Sequence, residues 1–317
     1  MTLTRVPELT TVMAILILSA VFGMLNPAFL GSGNIQAMLR ASAYIGIPTI
    51  GMCLCLVAGM IDISVGALVG LVSCSVAWLI IYGHVTPILA MGIGLLIGFC
   101  SSSCVAFAIL RFKMSPFIAT IAMSFVLSGL AFAISGGSSE YPLPGNLAEI
   151  GNLAPLGISI AFVVMLVAGV IASYFLHFTV WGLTVRATGS DREVAKCTEV
   201  NPDAVNYVCF IVLGMLSALT SVLITLLVNG GSPYVGVGTE FKAILSCAIG
   251  GVSLFGYEGS VVGALLGVFL TQVISNGLIS AGMPAPFQNV VLGVLLIGLV
   301  ALDVARQNIK IAVREKE

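Results

Sequence analysis

The sequence predicts an all-α polytopic membrane protein of about ten transmembrane helices, and three observations predict it. Apolar residues fill 59% of the 317 positions and charged residues only 8%. A soluble domain carries about 25% charged residues, so this chain cannot cover itself with a hydrated surface. Runs free of Asp, Glu, Lys and Arg recur from end to end, many near the ~20 residues that cross a hydrocarbon core of ~30 Å. Lipid offers the backbone no partners, so such runs become helices that satisfy their own N–H and C=O groups. The whole of 1–317 reads as a single transmembrane domain.

Windows of about 20 apolar residues place the spans near 10–28, 43–61, 63–82, 86–110, 116–135, 156–177, 204–228, 239–256, 261–281 and 286–303. The first follows Arg5 and could be a signal peptide, but "VFGMLNPAFLG" holds no clean small-x-small cleavage site. The second and third are separated by inference. From Ala43 to Tyr82 the only Asp, Glu, Lys, Arg or His is Asp62, and one helix of that length would be about 60 Å, twice the core. The chain must turn, and "AGMIDISVGALVG" (58–70) holds the place, between Gly59 and Ser64. An ionised carboxylate at the bilayer centre costs roughly 2.5–3.5 kcal/mol on insertion scales. Asp62 is therefore expected at a surface or at a working site. A surface turn would let Asp62 or Ser64 cap the helix that follows.

Basic residues set the orientation. With a cytoplasmic N-terminus the inside loops hold Arg5, Arg111, Lys113, Arg186, Arg192, Lys196, Arg306, Lys310, Arg314 and Lys316, leaving Arg40 and Lys242 outside. "GGSSEYPLPGNLAEIGNLAP" (136–155) has no basic residue and reads as external. Ten spans then put both termini in the cytoplasm. A weak echo links "DISVGALVG" (62–70) with "EGSVVGALLG" (258–267), so Asp62, Ser64 and Gly66 are matched by Glu258 and Ser260 at two expected cytoplasmic turns. Their small-xxx-small spacings, Gly66/Gly70 and Gly263/Gly267, suit close helix approach. Two glycine-rich turns could also converge on such a pattern.

Several chemistries are missing. The formal charge of −1 offers nothing to nucleic acid. There is no G-x-x-x-x-G-K-[ST], H-E-x-x-H or G-x-S-x-G pattern, so no phosphate loop and no catalytic set. The eight cysteines lie mostly in apolar runs without a Cys-x-x-Cys pair, and His84 and His177 stand at span ends, so no metal site is expected. Coupled carriers place ionisable groups or helix breaks at the midplane, whereas these acids and bases are expected at span ends. The chain is thus expected to lack an energy source and to bind no cofactor. Within the spans, Thr120, Ser124, Gln272, Asn276, Gln288 and Asn289 supply hydroxyls and amides. They suit a neutral polar solute, although interhelical hydrogen bonds are the commoner use.

"WGLTVRATGSDREVAKCTEVNPDA" (181–204) carries most of the charge between the termini. "SDREVAKC" predicts a short helix with Ser190 or Asp191 as N-cap and Glu193 in its first turn. It is either a solvated connector or a docking helix for a cytoplasmic partner.

Four ordered motifs resemble the ribose/xylose-type permeases of bacterial ATP-binding-cassette importers, relatives of the branched-chain amino acid permeases. They are "IDISVG" (61–66), "FIATIAM" (117–123), "GSDREVAKCTEVN" (189–201) and "GGVSLFGYEGSVVGALLG" (250–267), followed by "NGL" (276–278). The resemblance covers roughly residues 35–305. Glu199 and Tyr257 stand where that family has glycine. The resemblance implies a multi-pass protein of the bacterial cytoplasmic membrane that pairs with a second permease subunit. It implies two nucleotide-binding ATPase subunits that use the ATP, and an external substrate-binding protein. The segment at about 178–203 would be the coupling loop, with Gly189, Asp191, Glu193, Val194, Ala195, Lys196, Val200 and Asn201 pressed on the ATPase. Sugars are the usual cargo. A self-contained carrier or channel is the alternative.

Overall fold

The computed structural model describes residues 6–154, 157–197 and 201–314. Their order is α1 (Val6–Leu25), a 3-10 turn (Pro27–Leu30), α2 (Ser32–Val57), α3 (Val65–Ile81), α4 (Pro87–Phe112), α5 (Pro116–Ser135), α6 (Leu147–Gly151), α7 (Ile160–Phe178), α8 (Val180–Ser190), α9 (Arg192–Cys197), α10 (Pro202–Leu227), α11 (Thr239–Ile249), α12 (Val261–Ser280) and α13 (Ala285–Arg314). The punctuation is local. Pro87, Pro116 and Pro202 each open a helix behind Thr86, Ser115 and Asn201, where a missing N–H costs nothing. α5 stops at Gly136, whose left-handed backbone ends the helix.

Eight helices are long and apolar enough to cross a membrane: α1, α2, α4, α5, α7, α10, α12 and α13. The expectation of ten full spans is thereby corrected. α3 has 17 residues and α11 only 11, and 11 residues rise about 16 Å, half the core. Beyond Ile249, the stretch expected to complete that span is a series of turns. α2 and α10 form the centre, with α4 and α3 against α10 and α12 and α7 against α2. α1 is peripheral: its apolar window is 6% buried, against 78% for that of α2.

Side-chain register fixes how the short helices sit. Ser221 Oγ donates to Val69 O (2.6 Å) and Thr225 Oγ1 to Ser73 Oγ (2.9 Å), so α3 runs parallel to α10. Ser221 lies about 28 Å along α10, yet Val69 is only one turn into α3. α3 therefore begins deep inside the bundle. α2 ends at Val57 against the Gly189 and Tyr257 backbones. Residues 60–64 are non-helical and return the chain inward to Val65.

The second half does the same in the opposite direction. α10 ends at Leu227 against Gly151, the last residue of α6. "NGGSPYVGVG" (229–238) then returns along α3, with Gly231 against Ser73, Pro233 against Gly70 and Gly236 against Gly66. α11 starts there and descends to the turn beside Val57. Long helix, returning segment, short helix and two long helices thus occur twice with inverted direction, α2–α5 and α10–α13, an arrangement that brings two helix breaks together. The sequence echo does not mark this repeat: 62–66 is matched in space by 236–240, while Glu258 and Ser260 lie at the bundle end. Lys242 is half-buried in the first turn of α11.

Candidate functional site

The two breaks meet at Gly66. A Cβ on Gly66 would collide with Gly236 O and Glu240 Oε2, so the backbones touch because neither residue carries a side chain. Asp62 is 2% exposed, and its Oδ1 accepts from Ser64 N (2.7 Å) and Ser64 Oγ (2.6 Å). The expected cap is corrected accordingly. Ser64 occupies the N-cap of α3 but makes no side-chain cap bond, and Asp62 folds back on Ser64 instead. The site is also interior rather than a surface turn. Glu240 stands in the first turn of α11, with Oε2 buried and without a hydrogen-bond partner. Each acid sits at the start of a helix whose free N–H groups carry partial positive charge. That is the physical reason a chain this apolar tolerates two carboxyls inside.

Sequence reasoning missed Glu240 because a hydropathy window averages one acid away. The signal was the linker before it, whose four glycines and one proline within 229–238 are too many for a turn and wrong for a helix. Also missed was a chain of hydroxyls: Thr225 and Ser73 are bonded, Ser232 N donates to Ser73 Oγ (3.3 Å), and Ser139 Oγ donates to Ser232 Oγ (2.9 Å). The far-end loop is stapled to the returning segment by Glu140 N→Gly231 O (2.8 Å) and Gly231 N→Glu140 O (3.0 Å). Burial lifts the Glu140 carboxyl above its usual value.

The six polar span residues do not converge. Thr120 is buried and donates to Phe117 O of its own helix (3.2 Å). Asn276 exchanges two hydrogen bonds with Asn34 (2.8 and 3.0 Å), joining α12 to α2. Ser124, Gln272 and Gln288 are half-buried and Asn289 is exposed. α5 packs on α3 and α4, and α13 on α11 and α12, so their polar positions occupy opposite flanks.

At the other end, α8 and α9 form a bent pair between α7 and α10. Asp191 accepts from Glu193 N (2.9 Å), the cap expected at Ser190 or Asp191. Asn201 Oδ1 caps α10 through Asp203 N (3.1 Å) and Ala204 N (3.2 Å), and Arg192 pairs with Asp203. Asp191 and Glu193 are exposed. Ala195 is 2% exposed, so its own side chain offers little surface to a partner. Glu199 and Val200 lie outside the described residues, and the side chains of Val194 and Lys196 are not described. Ser260 caps α12 through Gly263 N (2.9 Å) and donates to Glu8 Oε1 (2.6 Å), tying α12 to α1. Among the described residues no three His, Cys, Asp or Glu side chains are grouped to hold a metal.

Known proteins share this sequence pattern. Residues 34–300 match the family model described as branched-chain amino acid transport system / permease component. A ribose import permease of Bacillus subtilis (strain 168) is 34% identical over 92% of this chain and 91% of its own length. A ribose import permease of Escherichia coli (strain K12) is 27% identical over 95% and 94%. An L-arabinose ABC transporter permease of Azospirillum brasilense is 29% identical over 94% and 87%. No solved structure matches.

Proposed function

The chain belongs to the family of branched-chain amino acid transport system permease components, and from that premise we propose that it carries a monosaccharide or sugar-like neutral solute through the bacterial cytoplasmic membrane. It works as the permease subunit of an ATP-binding-cassette importer and is not itself an enzyme. The observation that carries this reading is family membership over nearly the full chain together with relatives named for ribose and arabinose. It binds no cofactor, since ATP is used by separate nucleotide-binding subunits. A second permease subunit and an external substrate-binding protein complete the machine.

The ATPase contact is the α8–α9 pair, through the exposed Asp191 and Glu193. Both termini are cytoplasmic, which puts α8–α9 on the ATPase side. Replacing Asp191 with Asn and Glu193 with Lys keeps the α9 cap, since Asn caps nearly as well, while reversing charge on the contact face. We expect this double variant to reach the membrane but to lose ATPase co-purification and uphill uptake. Retention of both would move the contact elsewhere.

One observation favours a second reading. The interior acids Asp62 and Glu240 are the kind of group that ion-coupled carriers use. A self-contained carrier would accumulate solute without any ATPase, driven by an ion gradient.

A further inference from the structure

Three backbone segments converge at the α8–α9 end: 57–59 at the end of α2, 186–189 of α8, and 256–259 before α12. Tyr257 N donates to Val57 O (2.9 Å). Arg186 Nη1 donates to Tyr257 O (3.2 Å) and Nη2 to Gly259 O (2.9 Å), with His177 Nε2 3.3 Å from Nη2. Gly189 has no room for a Cβ, which would strike Val57 O and Tyr257 N, and a Cβ on Gly256 would strike Gly189 O in turn. Tyr257, the residue standing where the family has glycine, holds a left-handed backbone at φ +68°.

We propose that Arg186 is a positioning residue that clamps α8 to the 256–259 turn, so that a displacement of α8–α9 is passed to α11 and along it to the Gly66–Glu240 junction. The clamp rests on reading α8–α9 as the ATPase contact. Its logic is geometric. A guanidinium presents a rigid planar fork and cannot lose its charge, and both acceptors here are backbone carbonyls. The fork holds two carbonyls of the turn at once, and the backbone contact of Gly189 with Val57 and Tyr257 beside it limits how far the arginine stem can absorb a movement of α8. Residues 250–255 join the turn to α11, braced by Ser253 N donating to Glu258 O (2.9 Å), and Ser260 joins it to α12; the far end of α11 is where the two helix breaks touch. Gly189 and Val57 pack backbone to backbone, so the end of α2 moves with the same body.

The test uses the full importer, permease with its ATPase subunits and binding protein, in proteoliposomes, comparing wild type with Arg186→Gln and Arg186→Lys. The readout is solute taken up per ATP hydrolysed, alongside ATPase co-purification. Arg186→Gln should keep the ATPase bound, because Asp191 and Glu193 are untouched, while uptake per ATP falls about tenfold. Arg186→Lys, with one ammonium in place of a fork, should fall between. If Arg186→Gln fails to reach the membrane, Arg186→Lys alone is read on the same ratio. A merely structural role would lower uptake and hydrolysis together and leave the ratio unchanged, and that result overturns the clamp. Loss of the ATPase from the variants also overturns it, by making Arg186 a docking residue. A wild-type complex without ATP-driven uptake would overturn the importer reading and the clamp with it.

Discussion

At the scale of residues, a buried carboxyl persists only where something answers its charge. Asp62 has the Ser64 N–H and hydroxyl and the N-terminus of α3. Asn at 62 keeps an oxygen for Ser64, so Asp62→Asn should cost only about 1 kcal/mol in stability, on the order of one hydrogen bond. If the charge works in gating, uptake collapses while membrane levels hold, and we expect that outcome. A fully active Asp62→Asn protein would reduce Asp62 to a local brace. Tyr257 tests backbone strain: left-handed φ costs a non-glycine residue roughly 1–2 kcal/mol. Tyr257→Gly leaves its two backbone bonds in place, so the variant should melt at or above wild type in detergent, and a lower melting temperature would contradict the strain. Asp62 was legible in the sequence because it interrupts an apolar run. Glu240 was not, because the quantity that betrays it is the backbone beside it.

Element boundaries were legible where local chemistry writes them. α5 lies at 116–135 as expected, framed by Ser115, Pro116 and Gly136. The half-length of α11 was illegible, because composition does not reveal that 229–238 runs back along α3 instead of lying at the surface. The junction it forms is close-packed backbone, so Gly236→Val must push apart α3 and the returning segment. Overpacking of this kind typically costs 1–3 kcal/mol, and we expect a clear loss of thermal stability in detergent, while an unchanged melting curve would contradict the contact. The Asn34–Asn276 exchange between α2 and α12 is a second element-level test. Interhelical hydrogen bonds in membranes average about 0.6 kcal/mol and reach about 1.7. A double-mutant cycle with Asn34→Ala and Asn276→Ala should return a favourable coupling in that range, and zero coupling would mean that the amides are independent.

At the scale of the molecule, the inverted pairing of α2–α5 with α10–α13 places loop 136–146 and the α8–α9 pair at opposite ends. Cysteines introduced at Ser138 and Ser190 in a cysteine-free background should label from opposite sides of the membrane, Ser138 from outside. The apolar runs made a multi-pass helical membrane protein readable from sequence, and the four ordered motifs made its permease family readable. The inference that acids lie only at span ends was the weak step, since two of them meet inside. The decisive measurement is therefore uptake by the purified chain in proteoliposomes, alone and with its ATPase subunits and binding protein, across a panel of monosaccharides. Accumulation above the outside concentration only with partners and ATP is the predicted result. Accumulation by the chain alone on an ion gradient, abolished by Glu240→Gln, would contradict it.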